Sequence, residues 1–138
     1  MPRLDKIHEP VKQALIRDGW TITHDPYVIR YEKVRLFADL GAEFPLAAEQ
    51  GNRKILVEVK SFLGASVLQD LKETLGQYDI YTELIPLVDP ERRVYIAVSS
   101  NAYQSLCQQD VARLVLERRQ VALLVVDIEK QRIEKWIY

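Results

Sequence analysis

Several kinds of site are excluded by what this chain has little of. It has one cysteine, Cys107, so no internal disulfide can form, which suits a reducing cytosol. Cys107 lies in "SLCQQ" and reads as a helix-surface or core residue rather than a nucleophile. Its two histidines, His8 and His24, give poor support to a histidine-built metal cage or a Ser/His triad, and both read as surface or turn residues. It has almost no net charge: 19 Lys and Arg face 20 Asp and Glu, a formal balance of −1. Such a chain has no bulk attraction for a phosphate backbone. Any nucleic-acid contact must come from a local basic patch, or from metal ions that offset acidic residues. No apolar run approaches the ~20 residues that span a bilayer, and no basic–apolar–small leader pattern opens the chain. The expectation is a soluble, cytoplasmic protein without a membrane partner.

What is present is enough for one core. The 138 residues are 48% hydrophobic and fit a single domain, residues 1–138. "LDKIHEPVKQALIRDGW" has helical spacing at Val11, Ala14 and Leu15, with Gly19 as a stop. Asp5 is a candidate N-cap, or Pro10 marks the first turn of a helix that begins near Glu9. "WTITHDPYVIRY" alternates and breaks at Asp25-Pro26. "VRLFADL", 34–40, is a strand-like run with Gly41 punctuating its end. "PLAAEQGNRKILVEVKSF" reads as a hairpin that turns near Gly51-Asn52, with strands at 45–50 and 54–60.

The stretch from Ser66 is amphipathic through Val67, Leu68, Leu71, Leu75, Tyr78 and Tyr81. Ser66 serves as N-cap with Gln69 at the capping-box position, and Pro86 and Pro90 end the helix. A strand at 92–100, a helix at 110–119, a nearly continuous apolar strand at 121–128 and a closing edge strand follow. Hairpins first and crossovers after predict an α/β fold of the α+β kind, a mixed central sheet flanked by helices.

One strand contains a contradiction. In "ILVEVKSF", 55–62, Ile55, Val57 and Val59 share one face, while Leu56 shares the other with Glu58 and Lys60. Burying either charge unpaired costs several kcal/mol. They pair with each other or with a covering helix, or they belong to a site. Asp39 ends the preceding strand run, far enough back for a hairpin to bring it to Glu58. Two carboxylates are hard oxygen ligands that suit Mg²⁺ or Mn²⁺, with the Val59 carbonyl a further ligand. Such a metal binds a phosphate and acidifies water, and Lys60 holds the nucleophile or offsets the developing charge.

Asp39 followed by Glu58-Val59-Lys60 resembles the PD-(D/E)xK signature of restriction-endonuclease-like nucleases, with Ala38 where the nominal proline stands. "QYDIY" matches the QxxxY motif of the RecB-like branch, and Gln77 and Tyr81, four apart, share one helix face. That resemblance implies catalytic roles for Asp39, Glu58, Lys60, Gln77 and Tyr81, and an acidic residue on the first helix, for which Glu9 is the candidate ligand. More narrowly, "ALIRDGWTITHDPY", "FADLGAE", "EVKSFLG", "LGQYDIY", "YIAVS" and "KWI" resemble the XisH family over nearly the whole chain. This implies a controlling factor for excision of the fdxN element in heterocyst development, acting on DNA beside an XisI protein and a site-specific recombinase.

Two functions follow from the resemblance. One is a metal-dependent DNA endonuclease, the other a non-catalytic regulatory protein of nuclease fold that binds XisI, the recombinase or DNA. A homodimer that pairs its closing edge strand fits either. Trp20 and Trp136 read as packing residues. Arg30, Lys33, Arg35, Arg53 and Lys54 form the basic patch or a solvated strand face. Glu43 and Glu49, flanking the hairpin, read as solvated or as additional ligands.

Overall fold

The computed structural model describes residues 4–45 and 52–138. Its elements in chain order are α1 (His8–Arg17), β1 (Thr21–His24), β2 (Tyr27–Tyr31), β3 (Val34–Ala38), β4 (Leu40–Pro45), β5 (Asn52–Val59), α2 (Val67–Val88), β6 (Arg92–Ser99), α3 (Ser100–Gln108), α4 (Asp110–Arg118), β7 (Leu123–Asp127) and β8 (Arg132–Ile137). Six strands form one sheet in the order β1-β4-β5-β6-β7-β8, and β2 and β3 form a separate two-stranded ribbon. β5, β6 and β7 run parallel, and the outer pairs are antiparallel. The fold is thus the expected mixed α/β architecture with a mixed sheet flanked by helices.

Each face of the sheet carries its own core. Ile55, Val57 and Val59 of β5 join Tyr95, Ala97, Leu124 and Val126 against Val11, Ala14 and Leu15 of α1. Trp20 and Trp136 pack in this layer at 5.5 Å, and Trp136 meets Tyr95 edge-on at 5.0 Å. On the other face, Ile96, Val98, Leu123 and Val125 meet Leu71, Leu106, Ala112 and Leu116 of the three later helices. The ribbon adds a third cluster, in which Tyr27, Ile29 and Ala38 pack with Leu56, Tyr81, Ile85 and Val94.

Several boundaries differ from the sequence reading. Gly41 does not end a strand; it lies inside β4, where an added Cβ would meet His24 at 2.9 Å and the Tyr27 ring at 3.0 Å. The chain bends at Asp39 instead, leaving the ribbon to enter the main sheet. The strand paired with β5 is β4, 40–45; the expected strand at 45–50 lies, apart from Pro45, outside the described residues, as do the expected turn residue Gly51 and Glu49. Pro86 lies within the last turn of α2, which runs to Val88. There a missing N–H deprives only one carbonyl near the helix end. The helix α3 was not anticipated, since its buried face rests on Ala102 and Leu106 alone. It is capped by Ser99, whose hydroxyl accepts from the Ala102 N–H at 3.0 Å.

Ser66 caps α2 as expected, accepting from Gln69 N–H at 3.2 Å. Gly76 sits in the middle of this helix with open space where its Cβ would be. Gly76→Ala should therefore raise stability by about 1 kcal/mol, read as a higher urea midpoint at unchanged slope; an unchanged midpoint would contradict it.

Candidate functional site

β4 and β5 pair with Leu40 opposite Val57. Continuing that antiparallel register by one rung sets Asp39 opposite Glu58. Residues nineteen positions apart in sequence become cross-strand neighbours, and the bend after β3 makes this so. Asp39 Oδ2 accepts a 2.7 Å hydrogen bond from the Val59 N–H. β5 ends there, and the Lys60 N–H continues the pairing to the Ala97 carbonyl at 3.0 Å. Phe62, at φ 57 in the left-handed region, then turns the chain away.

An open cleft of about 210 Å³ lies at this strand end, lined by Asp5, Phe37, Asp39, Glu58, Val59, Lys60 and Gln77. The sheet's rim brings together Asp39, Glu58, Lys60 and Gln77, and Tyr81 stands behind them. Glu58 is 6% exposed. Burial first, then the hydrogen bond and charge of Asp39, push its carboxyl up to about 9. At neutral pH and without a cation, Glu58 therefore holds a proton. Tyr81 is buried too; its hydroxyl donates to the Phe37 carbonyl at 3.1 Å, tying α2 to the segment just before Asp39. Burial, then the Glu58 charge, raise the Tyr81 pKa, so it remains a phenol.

Three residues of the site's surroundings were not placed there by the sequence. Asp5 accepts from the Ile7 N–H at 3.1 Å, and its other oxygen accepts from the Ser61 N–H at 3.0 Å. It thereby ties the start of α1 to the backbone that follows Lys60. His8, which by its sequence reads as a surface or turn residue, is 2% exposed. Its Nε2 bonds Asp25 at 2.9 Å, and its Nδ1 lies 4.0 Å from Asp39 Oδ1. Among the described residues, that buried Nδ1 finds no hydrogen-bond partner. Burial opposes the Asp25 charge, yet Lys12 and His8 hold its carboxyl below the usual range. Phe37 is the third, 39% exposed at the cleft's lip. An in-facing histidine at the first position of α1, two before Pro10, is visible only once the helix is docked on the sheet.

Glu9 is not brought to the site. It is exposed and accepts from Gln13 Nε2 at 2.9 Å along its own helix. Among the described residues, no three His, Cys, Asp or Glu side chains converge closely enough to cage a metal ion. Asp39 and Glu58 offer two carboxylates on one open side, which is what a cation that keeps part of its water shell requires. The anticipated basic patch is divided. Arg53 donates to the Tyr95 hydroxyl at 3.2 Å and lies over Trp20 and Trp136. Lys54 pairs with Glu91 at 3.2 Å and Glu43 at 3.9 Å, whereas Arg30, Lys33 and Arg35 belong to the ribbon. Among the described residues, no helix is long and apolar enough to cross a membrane.

The XisH protein family model matches residues 1–134. An XisH family protein from Nostoc punctiforme has a similar structure, with a TM-score of 0.87 and 37% identity over 97% of this chain and 100% of that one. A fdxN element excision controlling factor protein from Anabaena variabilis is also similar, with a TM-score of 0.85 and 39% identity over 96% of this chain and 98% of that one. No curated protein matches. With the family model spanning nearly all of its length and two solved relatives sharing its fold, this chain belongs to the XisH family.

Proposed function

We propose that this chain is a divalent-metal-dependent DNA endonuclease of restriction-endonuclease-like, PD-(D/E)xK type, acting in DNA rearrangement. The observation that carries the reading is the register that sets Asp39 beside Glu58 at an open cleft with Lys60. The relative from Anabaena variabilis, named a fdxN element excision controlling factor, supports the setting.

The residues fit Mg²⁺ or Mn²⁺. Two carboxylates stand together, and the proton Glu58 holds marks a place where positive charge is wanted. Asp39 and Glu58 would hold the ion, with the Val59 carbonyl; Glu9 is too far engaged elsewhere to join them. A bound ion supplies Lewis-acid polarisation of a phosphate and a more acidic water. Lys60 positions that water and offsets charge developing on the phosphate. Gln77, exposed on the helix face above the cleft, orients the DNA strand. Tyr81 holds the Phe37–Asp39 segment in place. The neutral overall charge is no obstacle, since the ion brings local positive charge.

The test is incubation with supercoiled, linear and single-stranded DNA and Mn²⁺ or Mg²⁺, alone and with an XisI-like partner. Cleavage should appear, vanish with chelator, and fall by about a hundredfold in Lys60→Ala. Cleavage that survives this substitution undiminished would reject the assignment. No cleavage under any of these conditions would favour a regulatory protein of the same fold.

A further inference from the structure

The β2–β3 ribbon is two-sided. Tyr27, Ile29 and Ala38 pack inward, and the alternation turns Val28, Arg30, Arg35 and Phe37 outward. Arg30 and Arg35 are direct cross-strand partners. Like charges in that position are destabilising. Other cations nearby are engaged internally: Arg92 donates to the Ile55 carbonyl at 2.7 Å and to Asp89 at 2.9 Å. Among the described residues, no carboxylate forms an ion pair with Arg30, Lys33 or Arg35. Among the described residues the ribbon thus keeps a repulsive guanidinium pair with no carboxylate to neutralise it. Two pairs along the ribbon and on the same face, opposite Val28, stands Phe37. Phe37 is exposed, and it is one of the residues lining the cleft that holds Asp39, Glu58 and Lys60. Along β3 the step from Arg35 to Phe37 is about 7 Å.

We propose that this ribbon is a binding arm for single-stranded DNA, resting on the nuclease reading of the cleft. An unpaired base stacks on Phe37, and the adjoining phosphates lie on Arg30 and Arg35, with Lys33 at the turn. The strand then runs from the arm into the cleft, where its phosphodiester meets Lys60. A duplex keeps its bases stacked on one another and cannot offer one to Phe37. The substrate preference is therefore for an overhang, flap or other unpaired segment. Stacking platforms beside a cationic track are the general means of holding such strands.

The test measures anisotropy of a fluorescein-labelled deoxyoligonucleotide of about 12 nucleotides, single-stranded and as the duplex, in chelator so that no cleavage intervenes. Single strands should bind more tightly. Phe37→Ala should weaken single-strand binding roughly fivefold to a hundredfold, and Phe37→Tyr, which keeps a ring, should restore it. Arg30→Ala with Arg35→Ala should lower the slope of log affinity against log salt by about 1.4. Tighter duplex binding, or wild-type affinity and slope in these variants, would overturn the arm whether or not the protein cuts DNA. Arm-dependent binding by a protein that never cleaves would uphold the arm and reject only the nuclease.

Discussion

Asp39→Asn is expected to weaken Mn²⁺ binding by about a hundredfold or more and to remove metal-dependent cleavage. Asparagine is the informative replacement. Its carbonyl can still accept the 2.7 Å hydrogen bond from the Val59 N–H, and its amide can donate to Glu58. The fold therefore loses no partner and sheds one carboxylate from a crowded pair. Alanine would strip the Val59 N–H as well and confuse a structural loss with a chemical one. Calorimetric Mn²⁺ titration checks the binding, and a denaturant curve checks that stability holds or rises. Equal Mn²⁺ binding by wild type and Asp39→Asn would remove the metal from this cleft.

Glu58 gives the second large effect, on stability against pH. In the metal-free fold, burial and Asp39 raise its carboxyl from an ordinary 4.5 to about 9. Between those values the native state holds a proton that the unfolded chain has released. Stability from this group is therefore fully present below about pH 4.5 and declines as pH rises toward 9. By pH 7 the loss is on the order of 3 kcal/mol. Glu58→Gln has no proton to lose, so it should lack the fall in stability that the wild type shows between about pH 7 and 9; His24, lowered from 6.5, titrates below that range in both. The lowered carboxyls of Asp25 and Asp89 titrate below this window and do not mask it. Saturating Mn²⁺ should flatten the wild-type curve, because a cation takes the proton's place. Urea midpoints across this pH range, with chelator and with Mn²⁺, supply the measurement. Parallel wild-type and Glu58→Gln curves would show that Glu58 ionises freely in the fold.

The alternation of "ILVEVKSF" and the helical spacing after Ser66 were legible because each element is local. A strand's period assigns Glu58 to the face of Leu56, and a helix's period puts Gln77 four residues before Tyr81, without reference to the rest of the molecule. His8, Asp5 and Phe37 were not legible as parts of a site. Their neighbourhood is built from α1, the ribbon and the end of β5, which meet only after folding. The misplacement of Gly41 has the same origin. A glycine at the end of an apolar run reads as a stop, but here it answers to side chains from β1, β2 and β6 crowding over β4. Arg53 and Arg30 look alike as basic residues in strands. One is spent on two tryptophans and a tyrosine, the other is left facing solvent.

By itself the sequence determined the class of fold, the contradictory charges on one strand and the family pattern around them, since periodicity and residue chemistry are properties of short segments. Only the tertiary structure decided that Asp39 stands opposite Glu58, that Glu9 turns away while His8 turns in, and which cations are taken up by internal partners. Those facts depend on strand register and on the docking of distant elements. Both are fixed by long-range packing and leave no local trace.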